Sequence, residues 1–363
     1  MTKQKRIAIL TGGGDCPGIN AVIRAVAKKA ILDHGMEIIG IEDSYEGLVK
    51  NRHRRISYND VSGILTLGGT ILGTSKIANP YRYAVQKGKS LKFEDRSRTV
   101  IKNLKKLGVS CLVVIGGDGT LGIASRLYKE GIPVVGVPKT IDNDIRGTDV
   151  TFGFATAVWI ATEGIDRIHT TAQSHHRIMI VEVMGHKAGW IALHSGLASG
   201  GDIILMPEIP FDIGKIADVT KKRNKKGRRF SIIVVAEGAK PKGGDVVVRK
   251  MVEKSADPVR LGGIGFVIAE KLEKMTGLEA RTVVMGHLLR GGSPTPFDRV
   301  LATELGSTAV DMIVNKEFGH IMGYRGGTIM SVPLEEVARG PRLVPLDHRL
   351  VQTARALGTS FGD

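Results

Sequence analysis

Three aspartates occupy settings in which carboxylates do chemistry. Asp118 lies in Gly116-Gly117-Asp118-Gly119-Thr120, a carboxylate among glycines at the start of a helical stretch. This setting suits Mg²⁺ with bound phosphates, because Mg²⁺ takes one or two carboxylates and completes its octahedron with water and phosphate oxygens. Asp142 and Asp144 lie two residues apart in Pro138-Lys139-Thr140-Ile141-Asp142-Asn143-Asp144. One of such a pair can accept a hydroxyl proton while the other orients a metal or its water. A third loop, Thr11-Gly12-Gly13-Gly14-Asp15-Cys16-Pro17-Gly18-Ile19-Asn20, is rich in glycine and leads into a helix, so its N–H groups can approach phosphate oxygens. It has neither the GxxxxGK[ST] nor the GxGxxG spacing. Plainer readings exist: Asp118 as a helix cap, and the glycine loop as a tight turn. Together the loops fit phosphoryl transfer better than they fit three unrelated turns.

Each loop follows a short apolar, β-branched run and precedes a helical pattern. Strands are expected at Ile7–Leu10, Glu37–Ile41, Cys111–Ile115 and Pro133–Val137. Helices are expected from about Asn20 to His34, over Arg96–Leu107 and from Thr120. A second series follows. It has helices near Ala155–Thr171, Trp190–Ala198 and Gly265–Thr276, and strands at Ile178–Val183, Ile203–Leu205, Ser231–Ala236 and Arg281–Met285. Alternation of this kind implies parallel sheets with crossover helices. Ligands then bind outside the carboxyl ends of the strands, which places the three loops on one rim. The expected fold is α/β, with two Rossmann-like lobes, mainly parallel sheets and a cleft between them. Gly238–Gly244 reads as an exposed loop.

Composition narrows the classes. With 42% hydrophobic and 24% charged residues over 363 positions, the chain can bury a large core and is not of disordered type. Forty-seven glycines come in short clusters, as turns and phosphate-approach loops require. The net charge of +16 admits nucleic-acid binding, but the basic residues are dispersed. The densest run, Lys221–Arg229, lacks aromatics and reads as a solvated helix end, so no specific nucleic acid is expected. Two cysteines, Cys16 and Cys111, cannot build a disulfide framework or a zinc site. Cys16 reads as a small loop filler rather than a nucleophile. No apolar run is long enough to span a membrane and no signal peptide is visible, so a cytoplasmic location is expected.

The strings GGGDCPGIN, GGTILGTS, GGDGT, PKTIDND, VEVMGHKAGW and GHLLRGGSP occur in the order and near the spacing of the phosphofructokinase family, which the chain resembles over roughly residues 5–332. The resemblance implies transfer of a phosphoryl group to the 1-hydroxyl of fructose 6-phosphate. It implies Asp142 as general base, with Thr140 and Asp144 orienting the transferring group. It implies Asp118 holding Mg²⁺, and Gly13, Gly14, Lys76, Gly117, Gly119, Thr120 and Lys139 around the donor phosphates. Thr140, Ile141, Asp142, Arg177, Met184, Gly185, His186, Glu237, Arg281, His287 and Arg290 fall on the sugar-phosphate side. The equivalents of Arg177 and Arg281 reach in from a neighbouring subunit, implying a homo-oligomer with shared sites. The donor lobe is expected to comprise 1–153 plus 289–340, and the sugar-phosphate lobe 154–288 plus 341–363.

Two positions depart from the family pattern: Lys76 and His186 stand where arginine is common, which puts in doubt any arginine-based switch. Lysine keeps the charge and loses the bidentate fork. The donor is read as ATP because Gly119 leaves room where pyrophosphate users carry aspartate. Lys139, which pyrophosphate users also carry, keeps pyrophosphate as the alternative. More distant alternatives are an NAD- or lipid-kinase type, which shares GGDGT, and an inactive basic binding relative. Residues about 239–263 exceed the short bacterial form and carry no assigned role.

Overall fold

The computed structural model describes residues 5–75, 77–87, 90–253 and 258–363, so the expectation for Lys76 lies outside the described residues. Two sheets organise the chain. The larger has seven strands. Its centre is parallel: Arg6–Thr11 pairs with Glu37–Ile41 on one side and with Val109–Gly116 on the other, and Val134–Pro138 follows. Antiparallel strands close both edges, His53–Ile56 at one and the Thr328–Pro333 hairpin partner of His320–Arg325 at the other. The smaller sheet has four parallel strands: Ala280–Val284, Ile178–Val183, Ser231–Ala236 and Ile203–Leu205.

Strand alternation explains how the sheets are covered. Ile7 and Ile9 pack into one apolar cluster, while Ala8 and Leu10 face another on the opposite side. In the smaller sheet Ile232 and Val234 join the cluster of Ile7 and Ile9, whereas Ile233 and Val235 face a third cluster. The inner faces of both sheets therefore share one core, and the central parallel strands are apolar on both faces, as buried parallel strands require. The chain's last residues return to the smaller sheet, where the Ser360 carbonyl accepts Ile204 N–H at 2.9 Å.

The helices lie near their expected places. One corrects the reading of the second loop: it spans Asp118–Lys129 with Gly117 as N-cap, so Asp118 stands in its first turn rather than capping it. The basic run ends the Ile213–Lys225 helix, with Lys226, Arg228 and Arg229 exposed. The expected exposed loop at Gly238–Gly244 begins buried, because Gly238 packs beneath the His186 turn and Ala239 joins the third apolar cluster. The extra segment near 239–263 contains a hairpin, Val248–Met251 with Val259–Leu261.

Candidate active site

Three adjacent strands of the large sheet end on one rim, and their loops line one cavity of about 410 Å³. The glycine loop contributes Gly13 and Gly14, the second loop Gly117, Asp118, Gly119 and Thr120, and the third Lys139, Thr140, Ile141, Asp142 and Asp144. His186 and Arg290 complete the sequence-predicted residues on its wall. Lys139 N–H donates to the Gly116 carbonyl at 3.0 Å, tying the third loop to the second.

The glycine loop needs its glycines. Gly13 sits at φ 81°, a conformation that side chains resist. A Cβ at Gly14 would lie 3.0 Å from an Arg290 guanidinium nitrogen. Arg290, expected on the sugar-phosphate side, thus abuts the donor loop. Lys139 is 3% exposed, and its Nζ donates to the Gly14 carbonyl. Burial lowers its pKa, opposed by Asp15 and Asp142. Gly119 is different: a Cβ there would meet nothing within 4 Å, so the wall beside it is open.

The third loop is held rigidly. Thr140 Oγ1 accepts Asp142 N–H at 3.1 Å, and Thr151 Oγ1 donates to the Thr140 carbonyl at 2.7 Å. Burial pushes Asp144 up to about 8, with repulsion from Asp142 and Asp118 adding to it. Asp118, Asp142 and Asp144, with Asp15 also on the wall, put four carboxylates in one cavity and call for a cation. No three His, Cys, Asp or Glu side chains among the described residues form a cage for one. Mg²⁺ needs no such cage, since it binds through few carboxylates and finishes its shell on phosphates and water. Asp118 is the exposed member, with Oδ1 accepting Gly119 N–H at 2.7 Å.

On the other side, Met184 is buried and Gly185 turns at φ 152° into His186. Glu237 Oε1 accepts His186 N–H at 3.1 Å. Burial pushes Glu237 up to about 7, with Asp142 the next contributor. Arg177, Arg281 and His287 do not line the cavity. Arg177 Nε donates to Glu279 at 2.7 Å, and Arg281 binds both Glu279 and Glu273. His287 is exposed on the short Gly286–Arg290 turn of helix. Cys16 is fully buried and its thiol pKa is raised by burial, which suits loop filling.

Some lining residues were not singled out from sequence: Asp15, Ser44, Tyr45 and Arg260; Lys187, which follows His186 and can stand in for the family's arginine, is on the wall as well. Arg260 comes from the extra hairpin. Its strand is tied down by Glu182, 2% exposed, which accepts Gly263 N–H at 2.8 Å and Gly265 N–H at 2.9 Å. No motif surrounds Arg260, so only the fold could bring it to the cavity.

The phosphofructokinase family model matches residues 6–313. An ATP-dependent 6-phosphofructokinase 2 of Clostridium perfringens is 52% identical over 362 residues, covering 99% of each chain. A pyrophosphate–fructose 6-phosphate 1-phosphotransferase of Amycolatopsis mediterranei is 49% identical over 344 residues, covering 94% of this chain and 97% of that one. The solved phosphofructokinase of Saccharomyces cerevisiae superposes with a TM-score of 0.76 at 31% identity; 93% of this chain matches 45% of that one. The cavity loops and these full-length matches agree, and this chain belongs to the phosphofructokinase family.

Proposed function

We propose that the chain is an ATP-dependent 6-phosphofructokinase, transferring the γ-phosphoryl group of ATP to the 1-hydroxyl of fructose 6-phosphate. The observation that carries this is the convergence of Asp118, Asp142, Asp144 and Lys139 on one cavity whose wall is open at Gly119. Residues 1–153 plus 289–340 form the donor lobe in this reading, and 154–288 plus 341–363 the sugar-phosphate lobe. The division is supported by the return of His320–Pro333 to the large sheet and of Ser360 to the small one. The enzyme works in the cytoplasm; no helix among the described residues is long and apolar enough to cross a membrane.

Asp142 takes the proton of the attacking hydroxyl as the new oxygen–phosphorus bond forms and the bond from the γ-phosphorus to the bridging oxygen breaks, with ADP as the leaving group. Thr140 orients that loop through its bond to Asp142 N–H. Gly13, Gly14, Gly117 and Gly119 bring backbone close to the donor phosphates, and Lys139 and Arg290 supply positive charge beside them. Mg²⁺, which activity in this family generally requires, would be held by Asp118 and neutralise donor charge. Glu237 accepts sugar hydroxyls beside the Met184–His186 turn. Arg177, Arg281 and His287 bind the 6-phosphate, Arg177 and Arg281 from a neighbouring subunit, which accounts for their standing away from this chain's cavity.

Pyrophosphate is the second reading, kept as the alternative by Lys139, which pyrophosphate users also carry and which lies buried at the donor loop. An aldolase-coupled assay with each donor separates the two. ATP should support turnover; turnover with pyrophosphate and none with ATP would overturn the donor assignment.

A further inference from the structure

The segment after Gly340 straps the aspartate loop. Arg342 N–H donates to the Asp144 carbonyl at 2.7 Å. Its guanidinium Nη2 donates to the carbonyls of Asn143 at 3.0 Å and Asp149 at 2.7 Å. On its other side, the Arg342 carbonyl accepts Trp190 Nε1–H at 2.9 Å, and the guanidinium carbon lies 4.2 Å from the Trp190 ring centroid. Trp190 is 3% exposed and opens the Trp190–Ala198 helix. A single residue therefore joins the backbone beside Asp144 to a rigid anchor on the second lobe.

The loop needs such a tie. Asn143 is held at φ 53°, a left-handed conformation in a non-glycine residue. Its side chain is committed elsewhere: Oδ1 accepts Thr151 N–H at 2.9 Å and the amide donates to the Asp149 carbonyl at 3.3 Å. The Asn143 and Asp149 carbonyls converge on one nitrogen, and a planar guanidinium can serve both while stacked on an indole. A lysine ammonium keeps the charge but loses the planar stacked fork.

We propose that Arg342 is a positioning residue for phosphoryl transfer: it locks the backbone on both sides of Asp144 and so keeps Asp142 and Asp144 in place in the cleft. It does not line the cavity, so it acts through the loop rather than on substrate. The inference rests on the phosphotransferase reading above.

Arg342→Met and Arg342→Lys test it, alongside wild type. With fructose 6-phosphate and ATP, Arg342→Met should lower kcat about tenfold or more, as small misplacements of reacting groups do, with both KM values within about twofold. Arg342→Lys should recover part of the loss. Amide hydrogen exchange should quicken in peptides covering 142–151 in Arg342→Met while the Arg6–Thr11 strand stays protected. A raised KM with unchanged kcat would make Arg342 a substrate contact and overturn the proposal. So would unchanged kcat, or unchanged exchange over 142–151. Exchange reads the strap without turnover, so an inactive wild type would sink the functional reading while the strap is still judged.

Discussion

The Glu237 carboxylate accepts the backbone N–H of His186 at 3.1 Å, and His186 is held there at φ 49°. The bond fixes an unfavourable turn at the point where the acceptor wall meets the aspartate loop. It also leaves a carboxylate buried near Asp142, and its titration can be read.

Glu237 is raised from 4.5 to about 7, by burial first and Asp142 second. Between these pH values the folded chain holds a proton that the unfolded chain releases, so the stabilisation is present below about 4.5 and is lost as pH rises through about 7. Asp144, raised to about 8, acts in the same direction. His194, lowered by burial from 6.5 to about 4, acts the other way between those values, so the fall is read above pH 6.5, where thermal melting of the free enzyme should show Tm dropping with pH and Glu237→Gln should flatten that drop. A Gln variant with the wild-type slope would contradict the assignment.

Asp142→Asn should reduce kcat by roughly 10²–10⁴, the usual worth of a general base. It should not cost stability at pH 8, since it removes a charge that raises both Asp144 and Glu237. Coupled-assay kinetics and a melting curve on one preparation test both halves.

Arg177 and Arg281 bind Glu279 instead of facing this chain's cavity. If they serve a neighbour's site, mixing Arg281→Ala with Asp142→Asn subunits by unfolding and refolding should restore about a quarter of wild-type activity in a dimer, from the one intact site of each hybrid. No recovery above the separate variants would place the whole site in one subunit.

Arg260 brings a further cation to the cavity wall beside His186 and Lys187. Arg260→Ala should raise the KM of a phosphate-bearing substrate about tenfold with kcat within twofold, as loss of a charge-assisted contact would. Initial rates with each substrate varied in turn would show which one it meets.

Gly119→Asp should fold normally, because no atom lies within 4 Å of its Cβ. The new carboxylate would face the donor, so kcat/KM for ATP should drop at least about tenfold by like-charge repulsion. Unchanged ATP kinetics would show that the open wall is not where the nucleotide phosphates run.

Much was legible in the chain because it is local. Short, near-continuous apolar and β-branched runs placed Glu37–Ile41, Ile178–Val183, Ile203–Leu205 and Ser231–Ala236 at the bounds the structure has. The loops after the strands read at Cys111–Ile115 and Pro133–Val137 carried Asp118, Lys139, Asp142 and Asp144 in recognisable strings. The antiparallel edge strand His53–Ile56 and the hairpin at Val248–Leu261 were missed. Their alternation is weak, with most hairpin side chains exposed, and their pairing depends on partners set by the rest of the fold.

By itself, the sequence determined the α/β class, the rim on which the loops gather and the three aspartates those loops carry, since each follows from short-range pattern and residue type. The tertiary structure decided what depends on long-range contact. It set Arg290 against Gly14, placed Asp118 in the first turn of its helix, turned Arg177 and Arg281 toward Glu279, and brought Arg260 to the cavity wall and Arg342 to the aspartate loop from segments without a motif. Which residues meet across more than a hundred positions is fixed by how sheets and helices pack, and only then do burial and neighbouring charge set the protonation of Asp144 and Glu237.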